Sequence, residues 1–366
     1  MAKLFSPVSL GPLTVKNRLW ASPMCQYSVE TRDGRAGPWH QAHYGAMAAG
    51  GAGLVVVEAT AVAPEGRITP WDLGLWDDSQ IDALAPVAAF IEAQGAVPAI
   101  QLGHAGRKAS TQKMWEGDAY VPPEQGGYQA VAPSAIPFAD LPTPRELTAE
   151  EVAGVARAFG EAAARARQAG FRAVEIHAAH GYLLHQFLSP LSNHREDEYG
   201  GSGWNRGQLI VDVVRAVRDG IGPDAALMMR VSATDWVEGG WDVDDTSQLV
   251  GRLAQYAGID HLDVSTGGLV PDARIPVGPA YQAPFAAQIA QETGIQVNSV
   301  GIIDTPEMAE RLVTEGGLDA VMLGRPFLRD PHTPIKWAVE LGEDAAAWTP
   351  PQYARAAWTR YYARPA

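Results

Sequence analysis

Phe171-Arg172-Ala173-Val174-Glu175-Ile176 runs directly into His177-Ala178-Ala179-His180-Gly181-Tyr182. The first six residues read as a buried strand. Successive side chains of a strand point to opposite faces, so Ala173, Glu175 and His177 share one face and Val174 and Ile176 the other. A carboxylate and an imidazole opposite an apolar face need a sheet with one greasy side and a polar interior near one open end. Two histidines and a tyrosine then gather where the strand stops. Imidazoles donate hydrogen bonds to an oxygen, and a phenol supplies a proton, which is equipment for polarising a carbonyl. Upstream, Ala149–Ala169 reads as a helix: Thr148 and Glu151 form a capping box, and Gly170 stands where a C-terminal glycine belongs.

The same unit recurs along the chain. Strands are expected near Arg18–Ala21, Leu54–Ala59, Val97–Leu102, Ala173–His177, Leu227–Val231, His261–Val264, Gln296–Val300 and Ala320–Leu323. Helices are expected at Ser79–Gln94, Ala149–Ala169, Arg206–Asp219, Asp245–Ala257, Pro284–Glu292, Pro306–Thr314 and Pro334–Glu340. Such alternation implies a parallel sheet, and eight strands over this length point to an α/β fold of the (β/α)8 TIM-barrel type. A doubly wound sheet is the alternative, weakened because no glycine-rich dinucleotide fingerprint follows the first strand. Strand faces support the barrel: Met228 with Arg230, and His261 with Asp263 and Ser265, lie opposite apolar neighbours. Residues 1–366 read as one domain with long loops at 103–147 and 267–284 and a tail at 343–366. Loops of that length in a compact domain are usually lids or binding loops.

Composition narrows the function. The chain has 366 residues, 46% of them hydrophobic, and a net charge of −14. A nucleic-acid partner would want a basic face, and no Lys/Arg run is present, so a small-molecule partner is expected. One cysteine, Cys25, excludes an intrachain disulfide, a four-cysteine zinc site and a cysteine-ligated iron–sulfur cluster. No membrane span is expected, and the N-terminus lacks the apolar core of a signal peptide, so a cytoplasmic location is the simplest expectation.

Several residues sit where chemistry would be done. Arg230 ends an apolar strand and needs a negative partner, either Glu175 or Asp263 in an ion pair, or an electron-rich cofactor. Gln101 ends another strand; its amide either caps a loop or pairs with the edge of a heteroaromatic ring. Gly301, and Gly324 with Arg325, follow the last two strands, where backbone N–H groups and a guanidinium form the usual phosphate cradle of a barrel, or are turn glycines beside a surface arginine. His177 and His180 are also readable as metal ligands, although no third ligand sits nearby in sequence and a metal leaves Gly181-Tyr182 unexplained, or as satisfied core histidines. Cys25 is readable as a buried hydrophobe or as a nucleophile with His177 as its base.

Taken together these residues resemble the old yellow enzyme family of FMN-dependent ene-reductases. The resemblance runs from Leu4-Phe5 to about Trp358. It rests on Ser22-Pro23-Met24-Cys25, Val57–Val62, Gln101 with His104–Lys108, His177–Tyr182, Phe187–Asn193, Asp197–Gly201 and Gly324-Arg325. Cys25 resembles the bacterial thermophilic-like branch and its xenobiotic reductases. The resemblance implies tightly bound, non-covalent FMN, NADPH or NADH as hydride donor, and ping-pong reduction of the C=C bond of α,β-unsaturated carbonyls through flavin N5. It implies that Pro23, Met24, Cys25, Ala59, Gln101 and Arg230 hold the ring system, and that Ser265, Gly301, Gly324 and Arg325 follow the ribityl phosphate. It implies that His177 and His180 bind the substrate oxygen, that Tyr182 donates the proton, that Tyr27 reaches the substrate oxygen and Cys25 tunes the substrate's fit, and that Lys108 is a polar neighbour of the flavin site. Pro350–Arg355 resembles an interface segment of a homo-dimer or homo-tetramer, with Arg355, or the added Trp358, entering a neighbouring site. Four rivals fit less well: a non-enzymatic flavin-binding or scaffold protein would leave both histidines, Tyr182 and Arg230 unexplained, and three others lack residues they want. A dienoyl-CoA reductase wants cluster cysteines, a tRNA dihydrouridine synthase wants a basic surface, and a Schiff-base lyase wants a lysine at a strand end.

Overall fold

Eight parallel strands close on themselves. They are β1 (Leu19–Ala21), β2 (Leu54–Ala61), β3 (Val97–Gly103), β4 (Ala173–Ala178), β5 (Ala226–Ser232), β6 (His261–Ser265), β7 (Val297–Ser299) and β8 (Ala320–Leu323). Strands pair in sequence order, and β8 pairs with β1 to complete the ring. The doubly wound alternative is thereby overturned, because an open sheet would leave two edges unpaired. The structure is a computed structural model describing residues 1–256, 258–356 and 358. The last residues of the expected tail, together with Ala257, which was expected to end a helix, lie outside those described.

Helices α1 (Pro38–Ala49), α2 (Ile81–Ala93), α3 (Ala149–Gln168), α4 (Gln208–Ile221), α5 (Val243–Tyr256), α6 (Ala283–Thr293), α7 (Pro306–Thr314) and α8 (Thr333–Glu340) alternate with the strands. Thr148 caps α3 through the Glu151 N–H, and Gly170 follows it at φ +97°. Helix α1 was not expected from the sequence. Its buried residues include His40, Tyr44, Met47 and Ala48, a helical spacing carried partly by polar types. Pro38 after Gly37 was its one legible start signal.

The strands alternate as a barrel requires. Val174, Ile176 and Ala178 of β4, Leu227, Met229 and Val231 of β5, and Leu262 and Val264 of β6 pack outward in the layer shared with the helices. Each buried Val, Leu, Ile or Met side chain among them contributes roughly 1.5–3 kcal/mol. Trp20, Leu54, Val56, Ala99, Ala173, Met228 and Met322 fill the interior floor. An antiparallel hairpin, Val8–Leu10 with Leu13–Val15, seals that floor by packing Val8, Leu10 and Val15 against it. The interior above the floor is polar, and it opens at the carboxyl ends of the strands.

Candidate active site at the mouth of the barrel

The carboxyl end of β4 carries three rings in edge-on contact. His177 meets His180 at 5.2 Å between centroids and Tyr182 at 5.0 Å. The Ala179 N–H donates to His177 Nδ1 at 3.4 Å, which leaves the proton on Nε2. His180 stands at φ +60°, a conformation uncommon for a side-chain-bearing residue, and its N–H donates to Ser232 Oγ at 2.9 Å. Burial, followed by the field of Arg230, holds both imidazoles well below their ordinary range, so both are neutral. Burial raises the Tyr182 phenol, which keeps its proton. A neutral N–H donor and a protonated phenol thus share one corner.

The two histidines are not equivalent. His180 Nε2 lies 2.8 Å from Ser265 Oγ. The Gln282 amide is oriented by donating to Val300 O at 2.6 Å, so its oxygen accepts from both Thr266 and Ser265. With its own proton donated to Gln282, Ser265 accepts from His180 Nε2–H. In this arrangement the pair of donors expected for one oxygen reduces to His177, and His180 Nε2 would have to leave Ser265 to become the second.

Beneath the rings lies a buried polar layer. Arg230 on β5 pairs through Nε with Asp263 on β6 at 2.9 Å, and Asn298 on β7 donates to the same carboxylate at 2.5 Å. Gln101 on β3 donates to Glu175 on β4 at 2.8 Å. Strand register sets these partners, since Arg230 sits opposite Asp263 and Gln101 opposite Glu175. Of the two partners open for Arg230, Asp263 takes the ion pair; Gln101 holds Glu175 rather than capping a loop. Burial and the nearby Asp263 push Glu175 up to about 8, against the pull of Arg230.

The segment after β1 is held by a residue that sequence reasoning missed. Glu58 accepts from the Gln26 N–H at 2.7 Å and from the Tyr44 hydroxyl at 2.8 Å. It reaches them because β2 bulges: Val57 pairs with Ile100, yet Thr60 pairs with Leu102, one extra residue on β2. The bulge leaves Ala59 and Ala61 lining a small cavity with His177 and Tyr182. Cys25 and Tyr27 project from the anchored segment. Burial, with Asp72 and Glu58 adding to it, raises the Cys25 thiol well above its ordinary range, which argues against a nucleophile. Lys108, also at the mouth, donates to His180 O at 2.9 Å and Gly268 O at 3.1 Å, tying two loops together.

The ends of β7 and β8 fit a phosphate-bearing group. Met24, Gly301, Asp304, Gly324 and Arg325 line a cavity of about 240 Å³. Gly301 has φ +121°, and a Cβ there would come within 2.8 Å of the Tyr281 ring. Gly324 precedes the short helix Arg325–Arg329, whose first N–H groups have no intrahelical partner. The Asp304 carboxylate is offset by Arg329 at 3.0 Å. Above Tyr182 a wider cavity of about 720 Å³ is lined by Tyr27, Lys108, Asp118, Tyr120 and Phe138. Among the described residues no three His, Cys, Asp or Glu are grouped to hold a metal ion, and no helix is long and apolar enough to cross a membrane.

Residues 3–343 match the profile of the NADH:flavin oxidoreductase / NADH oxidase family. The chain belongs to that family. It is 46% identical over 353 residues to the NADPH dehydrogenase of Geobacillus thermodenitrificans, covering 96% of this chain and 98% of that one. Its fold matches morphinone reductase at a TM-score of 0.76 and 31% identity, over 93% of this chain and 90% of that one. It matches the old yellow enzyme homologue of Zymomonas mobilis at 0.76 and 28%, over 95% and 97%. The protein is an old yellow enzyme-type, FMN-dependent NAD(P)H oxidoreductase. Pro23, Met24, Cys25, Tyr27, Ala59, Gln101, His177, His180, Tyr182, Arg230, Ser265, Gly301, Gly324 and Arg325 all stand at or beyond the carboxyl ends of barrel strands. Two expected site residues do not join them within one chain. Arg355 is exposed on the tail, and the Trp358 ring packs 5.6 Å from His332 beside α8. Besides Glu58, sequence reasoning missed Gln282 and the supports of the histidine turn. A carboxylate inside the apolar run Leu54–Ala61 was the available signal for Glu58.

Proposed function

We propose that the protein reduces the C=C bond of α,β-unsaturated carbonyl compounds with NAD(P)H in a ping-pong cycle. The observation that carries this is the corner where the neutral His177 N–H and the protonated Tyr182 converge below the 720 Å³ cavity. FMN fits the residues present: the cradle at Gly301, Gly324 and Arg325 suits its phosphate, and the Arg230 guanidinium suits the electron-rich edge of its ring. Pro23, Met24, Ala59 and Gln101 would flank that ring, and Ser265 would lie along the ribityl chain. When bound, FMN would supply the two-electron hydride chemistry that couples NAD(P)H to the second substrate. His177 binds the carbonyl oxygen of that substrate and stabilises the negative charge growing there. His180 assists once its Nε2–H turns from Ser265. Tyr182 holds its proton beside the carbon that must receive it, and Cys25 with Tyr27 limits the shape admitted. Arg355 and Trp358 reach a neighbouring subunit's site in a homo-oligomer; light scattering that finds a monomer refutes this.

An anaerobic absorption spectrum tests the main reading. Flavin bands should bleach with NADPH and return with 2-cyclohexenone. Bands that bleach and stay bleached would remove the enone assignment.

A further inference from the structure

The turn between His180 and Tyr182 is held by a buried pair with no part in the chemistry described so far. His185 and Asp235 are both 0% exposed, with His185 Nε2 2.9 Å from Asp235 Oδ1. Ser189 donates to the other carboxylate oxygen at 2.6 Å and the Trp241 N–H at 2.8 Å. Every neighbour of Asp235 donates, so the carboxylate fixes the His185 proton on Nε2 and leaves the Nδ1 lone pair exposed. That lone pair accepts from the Gly181 N–H at 2.9 Å.

The Gly181 N–H and the His180 carbonyl belong to one peptide plane. Lys108 holds the carbonyl end at 2.9 Å and His185 holds the N–H end. The next plane is held as well, since Gln186 donates to Gly181 O at 2.7 Å and the Tyr182 N–H donates to Ala179 O at 3.2 Å. The turn is left-handed at two successive residues: His180 at φ +60°, a strained conformation for a residue with a side chain, and Gly181 at φ +72°, which glycine adopts freely. A Cβ on Gly181 would lie 2.2 Å from Gly268 O. A plane clamped at both ends in a strained turn fixes where the rings on either side of it point.

We propose that His185, oriented by Asp235, is a positioning residue of the reaction: through the His180–Gly181 peptide it sets the geometry of His180 and Tyr182 against the substrate. This rests on the enone reading above for its catalytic consequence and on geometry alone for its structural one.

Three variants separate the parts of the pair. In His185→Asn the side-chain oxygen replaces Nδ1 as acceptor for Gly181. In His185→Gln the amide nitrogen replaces Nε2 toward Asp235 and no acceptor remains for Gly181. Asp235→Asn offers its amide N–H to Nε2, moves the His185 proton to Nδ1 and turns it against the Gly181 N–H. Amide exchange over residues 177–182 should quicken roughly ten-fold in His185→Gln and Asp235→Asn and stay near the parent rate in His185→Asn. On the flavin-loaded enzyme, reoxidation by 2-cyclohexenone should slow about 100-fold in the first two and little in the third. Reduction by NADPH should change far less in all three. Equal exchange in the three variants overturns the proposal, as does equal loss of both half-reactions alongside a lowered thermal midpoint. A parent enzyme that the enone does not reoxidise refutes the enone reading instead, and the exchange pattern then decides the positioning claim by itself.

Discussion

Arg230 shows how a buried charge at the mouth of the barrel is held by its neighbours. Its guanidinium is buried with Asp263, and Asn298 completes that carboxylate. Arg230→Met should cost about 3–5 kcal/mol in urea unfolding, because it strands a buried anion. His177→Ala should slow enone-driven flavin reoxidation roughly 10²–10³-fold, the usual consequence of removing one donor to a developing oxyanion, while stopped-flow reduction by NADPH changes much less. That Arg230 needs an anion was legible from its place in an apolar strand. Which anion was not, since Glu175 and Asp263 flank it on β4 and β6 and only the register decides. His180 is the sharper lesson. Its type and spacing promised a second donor, and the Ser265–Gln282 chain that engages it comes from a residue 102 positions away (282 − 180), through contacts no local pattern encodes.

Single elements carry their own tests. Thr148→Ala removes one half of the capping box on α3 and should lower stability by about 1 kcal/mol, seen as a shift in the urea midpoint at constant slope. Gly301→Ala, in the β7–α7 loop, forces a Cβ into Tyr281 at a positive φ. It should release FMN on gel filtration while circular dichroism stays that of the parent. Seven of the eight main helices were legible because their apolar spacing and end signals agreed, and α3 is the clearest. Helix α1 escaped because its buried stripe uses His40 and Tyr44, which an apolar count passes over. The Glu58 bulge escaped for a related reason, since strict alternation would send that side chain into the barrel and an inserted residue turns it toward Tyr44 instead.

For the whole molecule, buried titratable groups set the pH range of stability. Burial pushes Glu58 and Glu175 up to about 8 and Asp72 up to about 7, and presses His40, His43 and His104 down to about 4. The raised carboxyls bind more protons folded than unfolded, so they lose stability as pH climbs from their ordinary range toward 8. The depressed histidines bind fewer protons folded, so they lose stability as pH falls from about 6.5 toward 4. The two sets oppose each other between about 4.5 and 6.5; above that the carboxyls dominate, and Lys16 and Lys108, which burial presses down to about 8, begin to oppose them only near the top of the window. The thermal midpoint should therefore fall between pH 6.5 and 8, and fall again toward pH 4; a midpoint rising through the upper window would contradict the burial of these acids. The hairpin beneath the barrel has a consequence in time. The Ala2 N–H donates to Glu343, and those of Lys3 and Leu4 donate to Glu310 at 2.8 Å. Residues 2–4, which lead into the hairpin, thus pair with side chains 306 to 341 positions further along the chain, and the hairpin itself packs on a floor that includes Ala320 and Met322. On the ribosome the floor plug must wait while the intervening strands emerge, and its docking records that the ring has closed.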